Sequence, residues 1–282
     1  MPLHPAAPDD YHGLVEAYAH SLHAIVDLGR TCREEDFERP TDCPGWTVKD
    51  QISHVVGLED WIAGGEVPDV EVPDYAHIRN ERGAFVEKSV ESRRGTPGEE
   101  VVDELEDVVA QRLAALRSPA LDLDSEVAGS FGPGPARETL PVRILDVWTH
   151  EQDIREALGR PGNLDSPAAS VVLDLLFRAL PRIVARDARV EPGNAVIIDV
   201  TGPVMGRAGV RVEEVDGKRR GFPLFTGEQH EHPDVTATSI ILSTQAVARR
   251  LAGRGALDDI HYTVVGDEDI ARRVLEALPL TA

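Results

Sequence analysis

Up to about residue 190 the apolar residues recur with a period of about 3.6, and beyond it they alternate with a period of about 2. The switch requires a helical domain first and a strand-bearing domain second. Over Tyr11 to Leu28, the residues Leu14, Tyr18, Leu22, Ile25 and Val26 fall on one helical face. A stripe of that kind is stable only when another element covers it, so the helices must pack on one another. A second helix starts behind Thr47, with Asp50 placed as a capping-box partner and Trp46 as a hydrophobic staple, and it ends near Gly64 and Gly65. Residues 66–98 read as a charged loop with helical content from about Ile78 to Val90. Thr96 as cap and Pro97 at the first position open a third long helix running to Leu116. A Gly- and Pro-rich loop leads to a fourth, from about Pro141 to Leu158, stopped by Gly159.

Ser166 and Pro167 start a fifth helix through Val172, Leu176 and Leu180. Strands follow at Ala195 to Val200, at Val210 to Val215 with a hairpin signal at Asp216 and Gly217, at Val235 to Leu242 and at His261 to Val265. Thr244 to Ala252 and Asp267 to Leu278 are helical. The expected architecture is an all-α bundle over residues 1–186 followed by a small α+β domain over residues 187–282.

The chemistry sits on two of the bundle helices. Asp146 and His150 are four residues apart, so on a helix both can reach one atom lying between that helix and its neighbour. His54 lies on the second helix. Two imidazoles and one carboxylate give a divalent ion three ligands and leave a position for water or substrate, as in a catalytic zinc site. An Asp-x-x-x-His pair is also an ordinary helix-surface hydrogen bond, and a lone His is often simply packed. Context adds weight to the metal reading. Ile52, Val55 and Val56 surround His54, while Ile144, Leu145, Val147 and Trp148 surround the pair, and polar groups on such apolar faces need partners.

Other polar residues carry weaker signals. Glu59 and Asp60 follow His54 on the same helix, Glu59 being a lesser option for a fourth ligand. Asp153 could hold a metal-bound imidazole by its other N–H, or form a surface ion pair with a neighbour such as Arg155. His230 and His232 have chelating spacing but lie in a polar loop before Pro233, where a solvated role is favoured. Cys32 and Cys43 lack CxxC spacing and read as reduced thiols, although Cys43 lies just before the His54 helix.

Twenty-nine basic residues against fifty acidic ones leave a net charge of −21, which repels phosphate backbones and anionic membranes. Nucleic acid and membrane are therefore not expected partners. No apolar run nears the roughly 18 residues of a membrane span, and the N-terminal residues lack signal-peptide character, so a cytoplasmic location is expected. Lys occurs only at positions 49, 88 and 218, so the basic residues are nearly all Arg, the usage of a GC-rich, actinobacterial-type coding sequence.

The stretch Pro44-Gly45-Trp46-Thr47-Val48-Lys49-Asp50 continued to His54, together with Asp146-x-x-x-His150-Glu151-Gln152-Asp153-Ile154-Arg155, resembles the two signatures of the mycothiol-dependent maleylpyruvate isomerase family. The resemblance implies a DinB-like four-helix bundle with a divalent metal, usually zinc, at His54, Asp146 and His150. It also implies a sterol-carrier-like C-terminal domain. The acidic ligand is Glu in the isomerase and Asp here. Mycothiol, an actinobacterial thiol, is the implied cosubstrate. Its thiolate would add to an activated double bond or displace a leaving group, making the protein an isomerase or a thiol S-transferase acting on a small electrophile. Arg249, Arg250 and Arg254 end a helix of the C-terminal domain, and Arg254 is the candidate catalytic residue for gripping a substrate carboxylate. A metal-dependent hydrolase, or a noncatalytic metal- or ligand-binding protein of stress response or regulation, stays open on the sequence alone, as does the choice between monomer and homodimer.

Overall fold

The structure is a computed structural model that describes residues 3–226 and 235–280. It comprises two compact units, Pro8–Gly162 and a second made of Met1–Ala7 with Asn163–Ala282.

The first unit is the helical bundle. Its long helices are α1 (Tyr11–Arg30), α3 (Val48–Ile62), α5 (Gly98–Leu116) and α6 (Ala136–Leu158), with the short α2 (Glu34–Phe37) and α4 (Glu81–Glu91) between them. Each of α1 and α3 packs against both α5 and α6, and α4 lies on α3. The stripe on α1 is buried as its spacing demands, with Tyr18, Leu22 and Ile25 fully enclosed. Each such aliphatic or aromatic side chain contributes about 1.5–3 kcal/mol relative to exposure.

Local signals set most helix ends. The Thr47 side chain accepts from the Asp50 N–H and the Asp50 carboxylate accepts from the Thr47 N–H, completing the capping box of α3. Gly159 closes α6 at φ 64°, in the left-handed region that glycine tolerates. Three expectations shift. Residues 66–98 contain a full helix, α4, capped by the Asn80 side chain. Pro97 rather than Thr96 occupies the cap position of α5, and no side chain caps it. Helix α6 begins at Ala136 and carries Pro141 within it, because the two-residue strands β1 (Glu126–Val127) and β2 (Gly134–Pro135) pair and deliver the chain directly into the first turn.

In the second unit, five strands form one sheet among the described residues, in the order β5-β4-β3-β6-β7. They are β3 (Asn194–Thr201), β4 (Met205–Val215), β5 (Lys218–Leu224), β6 (Thr236–Leu242) and β7 (Tyr262–Val265), with β3 and β6 parallel and the other neighbours antiparallel. Asp216 and Gly217 turn at φ 52° and 68°, the positive values of a two-residue hairpin. Helices α8 (Thr244–Leu251) and α9 (Glu268–Glu276) are capped by Ser243 and Asp267. Helix α7 (Pro167–Arg182) packs against β4 and β5. The division therefore falls between Gly162 and Asn163 rather than at residue 186, because the apolar face of α7 finds its cover on the sheet. The first residues return to the same unit, where His4 exchanges backbone hydrogen bonds with Met205 at 2.8 Å each and Ser170 Oγ donates to the Pro5 carbonyl. Among the described residues, no helix is long and apolar enough to cross a membrane.

Candidate metal centre

Helices α3 and α6 pack side by side in the bundle, and the spaced pair Asp146 and His150 meets His54 there. Ile52, Val55 and Val56 on α3 are fully buried, as are Ile144 and Val147 on α6, which orients both helices. His54, Asp146 and His150 each offer a ligand atom, all within 4.8 Å of one another. The Nε2 of His54 lies 3.7 Å from Asp146 Oδ2, and the Nε2 of His150 lies 3.8 Å from Asp146 Oδ1. Two ligands about 2.1 Å from one ion at a tetrahedral angle stand about 3.4 Å apart, so the contacts to the carboxylate are near that span, while the set as a whole, spread over up to 4.8 Å, would draw together around a divalent cation.

The surroundings prepare the donors. His150 Nδ1 donates to Gln51 Oε1, which leaves its Nε2 lone pair on the side of Asp146. Gln51 is itself held: its Nε2 donates to Thr41 Oγ1 at 2.8 Å and to Asp153 Oδ2 at 3.4 Å. Asp153 is thus joined to His150 through Gln51. Among the described residues His54 Nδ1 is buried without a hydrogen-bond partner, an uncompensated polar atom in an otherwise packed core. Burial pushes the Asp146 carboxyl up, but the Arg143 guanidinium and the two imidazoles outweigh it and hold the group well below the ordinary carboxylate range. One carboxylate with two imidazoles is the donor set of a zinc-type site, and the residues fit such an ion.

Trp46 forms one wall. Its ring centroid lies 5.0 Å from that of His54 and 6.0 Å from that of His150, and its Nε1 donates to the buried Glu87 at 2.8 Å. The expected staple is therefore also part of the site. Beside His54 a narrow crevice of about 10 Å³, room for about one water molecule, is lined by Leu58, Trp61, Val67, Phe85, Val86 and the small Ser89.

Glu59 is not among the converging ligand atoms. It is fully buried between Arg143, whose Nε lies 3.2 Å from Oε1, and Arg112, whose Nε lies 3.4 Å from Oε2. Arg155 pairs with Glu151 at 2.7 Å one turn before it. Gln51 and Arg143 escaped the sequence reading, although each stands three residues before a ligand and so shares its helical face.

In the second unit, Arg250 donates to the Leu275 carbonyl at 3.1 and 2.9 Å, and Arg254 Nη1 donates to the Ala252 carbonyl at 2.8 Å. Burial, and then the neighbouring Arg254, lowers the Arg249 guanidinium to about 10. His230 and His232 lie outside the described residues.

Residues 18–155 match the family described as the mycothiol maleylpyruvate isomerase N-terminal domain. Among solved structures, the crystal structure of the mycothiol-dependent maleylpyruvate isomerase is similar, with a TM-score of 0.54, 18% identity, and coverage of 91% of this chain and 94% of that one. The structure of a histidine-to-alanine mutant of that isomerase matches with a TM-score of 0.53 and 17% identity over the same shares. No curated protein sequence matches.

Proposed function

Through residues 18–155 this chain belongs to the mycothiol maleylpyruvate isomerase N-terminal domain family, and on that premise we propose that it is a metal-dependent, mycothiol-using enzyme, an isomerase or thiol S-transferase acting on a small electrophilic substrate. The observation that carries the proposal is the convergence of His54, Asp146 and His150, with Nε2 of both imidazoles directed at one carboxylate. In this reading these three side chains hold a divalent ion, most simply Zn²⁺. When bound, such an ion supplies the positive charge that turns a neutral thiol into a nucleophilic thiolate.

The protein's own groups do the rest. Gln51 accepts from His150 Nδ1 and so holds the ring with its Nε2 toward Asp146, the side on which the ion would sit. Trp46 packs against both imidazoles and limits their rotation. Arg254 is proposed to grip a substrate carboxylate with its planar fork.

The experiment is twofold. Co²⁺-loaded protein titrated with mycothiol should develop a sulfur-to-metal charge-transfer band, since soft thiolates bond covalently to such ions. Consumption of a small electrophile should require the same thiol, and Arg254→Ala should raise KM for carboxylate-bearing electrophiles more than it lowers kcat. A spectrum indifferent to mycothiol, with turnover that needs metal but no thiol, would replace this reading with a hydrolase.

A further inference from the structure

Four charged side chains line up between α3, α5 and α6, and one end of the row is the candidate ligand Asp146. Arg112 on α5 reaches Glu59 on α3 at 3.4 Å. Glu59 accepts from both Nε and Nη2 of Arg143 on α6, the Nε contact being 3.2 Å. Arg143 Nη1 then donates to Asp146 Oδ2 at 3.1 Å. Arg143 and Glu59 are 1% and 0% exposed, and Arg112 is 5% exposed. The row balances, two cations against two anions, so it can be buried.

Burying it still has a cost. A buried ion cluster of this kind is commonly no more stable than well-packed apolar residues of the same volume, so stability alone gives no reason for it in the middle of a bundle. Its arrangement gives one. The other ion-pair contacts of Asp146 are to His54 and His150, so among the described residues Arg143 is the partner that ties the carboxylate to the core. The Asp side chain is short, and it sits on the same helical face as Arg143, three residues further on. Glu59 fixes the guanidinium by two of its nitrogens, and the guanidinium fixes the carboxylate by the third.

We propose that Arg143, clamped by Glu59, is a positioning residue that orients the Asp146 carboxylate for metal binding, and that Glu59 is its anchor rather than a fourth ligand. The proposal rests on reading His54, Asp146 and His150 as a metal centre. Partners of this kind typically contribute about 10- to 100-fold to metal affinity when they hold a ligand in place.

The test is a double-mutant cycle on Co²⁺ affinity, measured by competition with a chromophoric chelator, with the Co²⁺ d–d spectrum as a second readout. Arg143→Gln should weaken Co²⁺ binding about 10- to 100-fold and alter the d–d spectrum. In an Asp146→Ala background the same change should cost nothing further, because Arg143 acts through that carboxylate. Should Arg143→Gln fail to fold, the charge-balanced Glu59→Gln/Arg143→Gln protein removes the ion pair without leaving Glu59 buried and unpaired, and it should show the same loss. Losses that add in the Asp146→Ala background, or Co²⁺ binding that is unchanged or tighter without Arg143, would overturn the proposal while leaving the metal centre intact. Wild-type protein that binds no Co²⁺ would overturn both.

Discussion

Glu87 is the place where one substitution should disturb both the stability of the bundle and the wall of its site. The carboxylate is 1% exposed and accepts three hydrogen bonds: from Trp46 Nε1 at 2.8 Å, His77 Nε2 at 2.9 Å and Arg94 Nη2 at 2.7 Å. Arg94 would keep Asp50 at 3.1 Å and Glu91 at 2.8 Å and is partly exposed, so its loss is small. The buried indole N–H would be left without its acceptor. Removing one member of a buried charged set costs about 3–5 kcal/mol, and the apolar side chain of Glu87→Leu recovers about 1–2 kcal/mol of that by burial. The net expectation is a destabilisation of roughly 1–4 kcal/mol, a sizeable share of the roughly 5–15 kcal/mol typical of a folded domain. Glu87→Gln keeps one acceptor and should lose about 1–2 kcal/mol. Urea unfolding followed by tryptophan fluorescence is the assay, because Trp46, Trp61 and Trp148 all belong to the bundle unit. Burial pushes the Glu87 carboxyl up, but the hydrogen bonds from His77, Trp46 and Arg94 outweigh it and leave the group below its ordinary value. A depressed folded value means that the unfolded chain takes up the proton first as pH falls. The advantage of wild type over Glu87→Gln should therefore be complete above the unfolded value of about 4.3 and shrink below it. Coincident urea transitions for wild type and Glu87→Leu, or a gap that widens on acidification, would refute the reasoning.

Three further outcomes follow from the same geometry. His150→Ala should lose most of its bound metal by elemental analysis while its circular dichroism stays helical, since the bundle is held by its apolar stripes; unchanged stoichiometry would remove His150 from the ligand set. Gln51→Leu should weaken Co²⁺ binding about 10- to 100-fold by releasing the His150 ring and its tautomer, and an unaltered affinity would show that the ring is fixed by packing alone. Gly57→Ala should destabilise the bundle by about 1–3 kcal/mol, because the added methyl would stand 2.1 Å from Ser89 Cβ where α4 crosses α3, and a wild-type denaturation midpoint would contradict the close approach.

What could be read along the chain and what could not divides by distance in sequence. Helical stripes, the capping box of Thr47 and Asp50, the Gly159 stop and the Asp216–Gly217 turn depend on residues within a few positions of one another, and these elements form where the pattern puts them. The candidate ligands were legible for the same reason on α6, where Asp146 and His150 share a face, and His54 was legible as a polar residue on an apolar helical face within a motif that resembles a known signature. Helix α7 shows the limit. Its stripe says that one face must be covered, but the period is the same whether the cover is a helix or a sheet, and only packing assigned it to β4 and β5. The ionised row from Arg112 to Asp146 and the link from His150 through Gln51 to Asp153 join residues on α3, α5 and α6, with Thr41 holding Gln51 from the loop before α3. No local pattern encodes which buried polar atom will face which other one. That is settled when the helices pack and each buried donor must find an acceptor.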